Sequence, residues 1–137
     1  MKKIYTTIFT ISIMAVLLLS VNQNLQGDNF TEKDIEKWNK AFQEVVQKGE
    51  KKFHSALGSN KVSCDMCHPN ATNTHPETYP KFQKQLGKVA TLREMINWCI
   101  INPLEGKPLA LDDPVMIMLE AYITHERRGV KLNPGKH

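Results

Sequence analysis

A chain of 137 residues with a formal charge of +4 falls to 16 − 14 = +2 once Lys2 and Lys3 are set aside with an N-terminal export signal. That near-neutral balance excludes a nucleic-acid partner chosen by bulk charge. The 137 − 27 = 110 residues that follow the signal make one domain, residues 28–137, with a core that is small for its length.

Residues 1–27 read as the signal: Lys2 and Lys3 form the positive end, and Ile8 to Val21 the apolar stretch, with a polar run and a cut after Gly27. The cut site lacks a clean small-x-small pattern, so a retained membrane anchor is the alternative. Residues 28–55 follow as a long amphipathic helix. Thr31 is its N-cap with Asp34 three residues on, and Phe30 and Ile35 have hydrophobic-staple spacing. Ile35, Trp38, Phe42, Val45, Val46, Gly49 and Phe53 recur at threes and fours on one face. Gly49 within that face costs helix stability, which points to a close helix contact. Glu32, Glu36, Lys33, Lys37 and Lys40 read as the solvated side. A connector with Gly58 and Asn60 leads on to Cys64-Asp65-Met66-Cys67-His68.

That five-residue run is Cys-x-x-Cys-His, the attachment pattern of a c-type haem. Cys64 and Cys67 share one face of a helical turn, so each sulfur can bond one vinyl group of the same porphyrin. His68 is then held under the iron as its proximal ligand. A thioredoxin-like redox pair would require a βαβ setting, and a zinc site a second ligand pair, and neither pattern is present. Attachment of haem outside the cytoplasm agrees with an exported chain. A porphyrin also supplies apolar area to a small core.

Beyond the motif, residues 69–80 read as an irregular polar loop containing His75. Residues 80–86 read as a short helix, with Pro80 in its first turn and Gly87 past its end. Thr91-Leu92-Arg93-Glu94 is a capping box for a helix over 91–101, whose stripe is Leu92, Met95, Ile96, Cys99 and Ile100. Asn102-Pro103 ends it. After a loop, Asp113 caps a last helix with Pro114 at its first position; Val115, Met118, Leu119, Tyr122 and Ile123 form the inner face, and Gly129 closes it. No strand is expected, so the fold class is all-α: a helical domain wrapped around one haem. No Ser/His/Asp arrangement for hydrolytic catalysis is legible.

The order helix, Cys-x-x-Cys-His, short helix, helix, loop, last helix resembles class I cytochrome c. Gly49-Glu50-Lys51-Lys52-Phe53 is similar to the Gly-x-x-x-Phe stretch of that family's first helix, and Leu119-Glu120-Ala121-Tyr122-Ile123 to the aromatic stretch of its last. The resemblance implies that these two helices cross, with Gly49 letting Tyr122 approach. It also implies a distal methionine in the loop before the last helix, but residues 102–112 hold neither methionine nor histidine. Met116 and Met118 lie in the last helix and suit core packing. The remaining distal candidates are Cys99, Met95, His75, His54 and His125.

Cys99 leads: it lies on the apolar stripe and is the one cysteine of three that the haem does not use. A surplus cysteine in an exported chain also fits an intermolecular disulfide, a reactive thiol, or simple burial. Met95, one turn away on the same face, is the alternative ligand. His75 reads as a solvated loop residue, His54 and His125 as surface residues, and Trp98 and Arg93 as packing or surface groups. The segment Leu92 to Ile101 resembles the haem domain of the Sox thiosulfate-oxidation cytochromes, which implies cysteine as distal ligand. In size the chain is similar to the small heterodimeric cytochromes of anammox bacteria, which implies a second cytochrome subunit.

The leading expectation is an exported monohaem cytochrome with a low-potential His/Cys haem. It would act in electron transfer or in binding NO or CO, and as a carrier more than an enzyme. The location is the periplasm, or the anammoxosome lumen under the anammox resemblance, with redox proteins as partners and no membrane contact once the signal is removed. The alternatives are a haem subunit of a thiosulfate-oxidising enzyme and an ordinary carrier with Met95 as sixth ligand.

Overall fold

The computed structural model describes residues 30–131. The expected signal and the C-terminal tail from residue 132 lie outside the described residues. The chain divides into two compact units, Met1–Ile35 and Glu36–His137. In the first, the described residues open helix α1 (Glu32–Phe53) with the expected reciprocal cap. The Thr31 N–H donates to Asp34 Oδ2 at 3.0 Å, and the Asp34 N–H donates to Thr31 Oγ1 at 3.3 Å. Both satisfy N–H groups that a helix start leaves without partners. Phe30 and Ile35 remain 59% and 48% exposed.

In the second unit only the C-terminal part of α1 enters the core, through Val46, Gly49 and Phe53. Trp38 stays 48% exposed. A helix of 22 residues spans about 33 Å, more than a small core can cover, so only part of the apolar stripe is buried. A methyl group on Gly49 would sit 2.0 Å from the Met118 carbonyl oxygen and 2.8 Å from Tyr122 Cβ. The absent side chain is therefore what lets α1 cross α4 (Pro114–Glu126) backbone to backbone, as expected, and the Phe53 and Tyr122 rings meet beside it at 5.0 Å.

Past α1 the chain is stitched to the loop that follows α3 (Leu92–Ile101). Gly58 bridges Gly106, and the Asn60 side-chain amide donates to the Pro103 carbonyl at 2.6 Å. The haem motif forms a single turn, α2 (Cys64–Cys67). Two 3-10 turns follow, Pro69–Ala71 and Pro76–Thr78.

The next element corrects the sequence reading. Residues 80–86 are not a helix but the start of a β-hairpin, β1 (Lys81–Gln83) pairing antiparallel with β2 (Lys88–Ala90). Gly87 has φ +66° and supplies the left-handed residue of the hairpin loop, where the N–H groups of Leu86 and Gly87 both donate to the Gln83 carbonyl. With three residues per strand, the period-two signal is too short to read against a helical one.

Helix α3 carries the full Thr91/Glu94 capping box and buries Leu92, Ile96 and Ile100. Helix α4 starts as expected, with Asp113 Oδ1 accepting from the Val115 N–H at 2.7 Å. Its buried set is Met116, Leu119, Tyr122 and Ile123; Met116 packs in the core as its reading implied, while Val115, packed against the core, and Met118 are half-buried. This helix is apolar nearly all round, which blurs its phase in the sequence. Phe53, Ile100, Met116 and Leu119 are the largest fully buried side chains among the described residues. The expected architecture, a mostly helical domain, holds with one small hairpin added.

Candidate haem site

The site begins with the backbone after the Cys-x-x-Cys-His turn. Asn70, Ala71, Asn73 and His75 all have positive φ. That conformation costs about 1 kcal/mol or more for each non-glycine residue, so it persists only where surrounding bonds impose it. Here they do: Thr72 Oγ1 donates to the Pro69 carbonyl at 2.8 Å, Thr74 Oγ1 to Ala71 at 2.7 Å and Thr78 Oγ1 to His75 at 2.7 Å. The wound loop presents the Thr72 carbonyl to His68 Nδ1 at 2.9 Å. A carbonyl only accepts, so Nδ1 carries the proton and Nε2 keeps its lone pair, the tautomer a metal-ligating histidine needs.

A second network anchors the turn to the end of α1. Ser63, itself buried, donates through Oγ to Asp65 Oδ1. The other oxygen of Asp65 meets His54 Nδ1 at 2.9 Å. Asp65 lies between the two cysteines, and these bonds hold its carboxyl below the usual range, Ser63 first and His54 second.

Cys64, Cys67 and His68 line a cavity of about 360 Å³, and Met95, Trp98 and Cys99 of α3 line the same cavity. The expected ligand set is thereby brought together from two elements far apart in sequence. The alternative ligand Met95 also lines it. His75 departs from its reading as a solvated residue: it lines the cavity, with a side chain 19% exposed and Nδ1 3.1 Å from Glu77 Oε1. His54 and His125 are not in the lining. Arg93 faces away, with Nε and Nη2 donating to Glu120 Oε2 at 2.8 and 2.6 Å and Nη1 to the Leu111 carbonyl at 2.7 Å.

None of the three cysteines is paired in a disulfide. Burial, and then the nearby Cys99, push Cys64 up to about 12; burial, and then Cys67, push Cys99 up to about 11. Sulfurs that raise one another's pKa in an enclosed, largely apolar space stay neutral until they are alkylated or a cation shares the space. Two alkylatable thiols, a histidine with a free Nε2 and a third sulfur on one cavity wall fit a covalently held iron porphyrin. The loop that lacks the expected methionine is tied to α3 instead. Asn97 donates through Nδ2 to the Leu109 carbonyl and accepts the Leu109 N–H, both at 2.8 Å.

Residues 48–132, which are 132 − 48 + 1 = 85 of the 137, match the SoxA/TsdA cytochrome c domain family. This chain belongs to that family. A c-type haem, covalently bound, is therefore its cofactor, and the chain is a monohaem cytochrome c related to the Sox haem domains. It is 32% identical over 73 residues to a thiosulfate dehydrogenase of Psychrobacter arcticus, covering 47% of this chain and 22% of that protein. It is 30% identical over 83 residues to a thiosulfate dehydrogenase of Allochromatium vinosum, covering 52% of this chain and 31% of that protein. The crystal structure of SoxXA from P. pantotrophus superimposes with a TM-score of 0.59 at 22% identity, over 66% of this chain and 35% of that one, which shows a shared fold. The chain thus spans about a fifth to a third of the length of these relatives.

Sequence reasoning missed the contributions of Tyr79, Lys81, Gln83 and Gln85, all of which line the cavity. They sit on or beside the hairpin that was read as a helix, and nothing in their spacing points inward once the element is misassigned.

Proposed function

We propose that this protein is the haem-bearing subunit of a thiosulfate-oxidising system. In this reading Cys64 and Cys67 would hold the haem through their sulfurs, and His68 and Cys99 would be the side chains that ligate its iron. When bound, the haem supplies a one-electron ferric/ferrous couple. The chain's own part is to fix His68 through the Thr72 carbonyl and to offer the Cys99 sulfur from α3. A thiolate donor favours ferric iron, which gives a low potential. The observation that carries the reading is the presence of Cys99 and the Cys-x-x-Cys-His turn on one cavity, in a chain of the SoxA/TsdA cytochrome c family.

Joining two thiosulfate anions through their outer sulfurs releases two electrons, and one haem takes up one. The proposal therefore includes a second redox centre, either a partner cytochrome subunit or a diffusing acceptor protein. Residues 1–27 serve as the export signal, residues 28–137 form the working domain, and the location is the periplasm. Among the described residues no helix is long and apolar enough to cross a membrane.

A second reading, reversible NO or CO binding, draws on the apolar part of the cavity wall, where Leu92, Ile96, Leu119 and Ile123 stand. The relatives favour the sulfur reading over it. The test is the ferric electron paramagnetic resonance spectrum of the holoprotein beside that of Cys99→Ala, with haem reduction by thiosulfate followed in both. Loss of the low-spin thiolate signature in the variant, together with reduction of the unaltered protein, is expected. An unchanged variant spectrum removes Cys99 as ligand, and absence of reduction with every acceptor tried removes the sulfur reading.

A further inference from the structure

Outside the cavity, a line of polar side chains runs from the haem turn to solvent. Ser63 is buried and donates through Oγ to Asp65 Oδ1. Asp65 Oδ2 stands 2.9 Å from Nδ1 of His54, the residue that follows α1. Neither Asp65 nor His54 lines the cavity, and the His54 side chain is 41% exposed.

The hydrogen bonds fix where charge can change. Asp65 accepts at both oxygens, and those bonds, Ser63 first, favour its ionised form. An ionised carboxylate only accepts, so Nδ1 of His54 carries a proton and Nε2 is the nitrogen left to take up a second. The pair is therefore a net anion while the imidazole is neutral, and has no net charge once Nε2 is protonated. The groups facing the imidazole come from three helices. Asp65 comes from α2; Tyr122 of α4 brings its ring centre within 6.2 Å; Glu50 and Lys51 stand one turn back on α1. Glu126 of α4 acts with Glu50 and Asp65 on the Tyr122 phenol, which burial first of all raises, so that phenol stays neutral where an imidazole titrates.

This changeable charge sits against the haem attachment. Asp65 follows Cys64 directly and precedes Cys67 by two residues. Its charge reaches the Cys64 sulfur, on which it acts after burial and Cys99. A negative charge there favours ferric over ferrous iron, and cancelling it removes that preference.

We propose that Asp65 and His54 set the potential of the haem, Asp65 holding it low and proton uptake at His54 Nε2 releasing it. Each electron delivered to the iron, by thiosulfate or by an electrode, then draws up to one proton from solvent onto Nε2. This rests on the haem being held by Cys64 and Cys67 and is independent of which reductant the protein meets.

The experiment measures midpoint potentials by spectroelectrochemistry from about pH 5 to 8, the range of an imidazole, at constant ionic strength. It compares the unaltered holoprotein with Asp65→Asn, with His54→Gln, whose amide can still donate to Asp65, and with His125→Gln, a histidine of α4 outside the cavity lining. Peptide masses first establish the haem on Cys64 and Cys67. Removing a unit charge beside the haem predicts a ferrous-to-ferric ratio at least ~3-fold higher in Asp65→Asn at a fixed ambient potential and about pH 8. The potential of the unaltered chain should rise as the pH falls. His54→Gln should lose part of that rise, and His125→Gln should keep all of it. Propionates and the Cys99 thiol also take up protons on reduction, and the difference between the unaltered and His54→Gln curves removes their share. By linkage, nuclear magnetic resonance should show the His54 ring keeping its second proton to higher pH in the ferrous protein than in the ferric. Equal potentials for the unaltered chain and Asp65→Asn at about pH 8, or parallel pH curves for the unaltered chain and His54→Gln, overturn the inference and leave the haem assignment and the sulfur reading standing. If Asp65→Asn does not retain haem, the His54→Gln curve decides alone. An unaltered chain whose haem is not joined to Cys64 and Cys67 overturns the haem assignment and the inference with it.

Discussion

At the scale of single residues, most of the site's precision is electrostatic and local. Glu94 shows this outside the cavity. Its side chain accepts from Lys88 Nζ at 2.5 Å and from the Thr91 N–H at 2.8 Å, closing the start of α3. Lys88 first, and then the Thr91 bonds, lower its pKa from 4.5 to about 2. A carboxyl depressed by folding stabilises the native state fully above its unfolded pKa, and that contribution disappears as the pH falls through the folded value. The holoprotein should therefore lose stability between about pH 4.5 and 2 by a share that Glu94→Gln does not lose. Thermal melts of the two proteins should differ at neutral pH and converge toward pH 2. Parallel curves across that range would show that the carboxylate charge adds nothing to the cap.

At the scale of elements, the fold depends on one close crossing. Alanine at position 49 gains about 1 kcal/mol of helix propensity. Its methyl, however, meets the Met118 carbonyl, a backbone atom that no rotamer change can move aside. Overpacking of that kind costs about 3 kcal/mol, so Gly49→Ala should be destabilised by about 2 kcal/mol net in denaturant titrations of the holoprotein. A variant as stable as the parent would mean that α1 and α4 can slide apart freely. The crossing was legible beforehand because Gly49 interrupts an apolar period and so advertises its cost. The caps at Thr31, Thr91 and Asp113 were legible for the same reason: each is a short-range pattern with its own hydrogen bonds. The hairpin was not, since three-residue strands carry too little periodicity and Gly87 serves a hairpin loop as well as a helix end. The left-handed residues Asn70, Ala71, Asn73 and His75 were hidden too: asparagine and histidine enter that region readily but alanine does not, and the bonds that Thr72 and Thr74 make back to Pro69 and Ala71 are not legible in the sequence.

At the scale of the whole molecule, the helices enclose a space that their own side chains do not fill. The core residues Phe53, Leu92, Ile96, Leu119 and Ile123 each present atoms to the cavity as well as to one another. Without the porphyrin that apolar wall faces water, and loss of its burial, at ~25 cal/mol per Å² over roughly 200 Å² or more, costs on the order of 5 kcal/mol. The total stability of a domain this small is about 5–15 kcal/mol. The Cys64→Ala/Cys67→Ala chain, which cannot hold the porphyrin covalently, should therefore lack a fixed tertiary structure when no haem is added. The expected signs are retained far-ultraviolet helical dichroism, loss of the near-ultraviolet signal, and binding of a hydrophobic dye. Adding free haem should restore part of the cooperative unfolding transition, since His68 keeps its Thr72 partner whether or not the thioethers form. A sharp, cooperative transition in the haem-free variant would instead mean that the protein core is self-sufficient and the cavity incidental to folding.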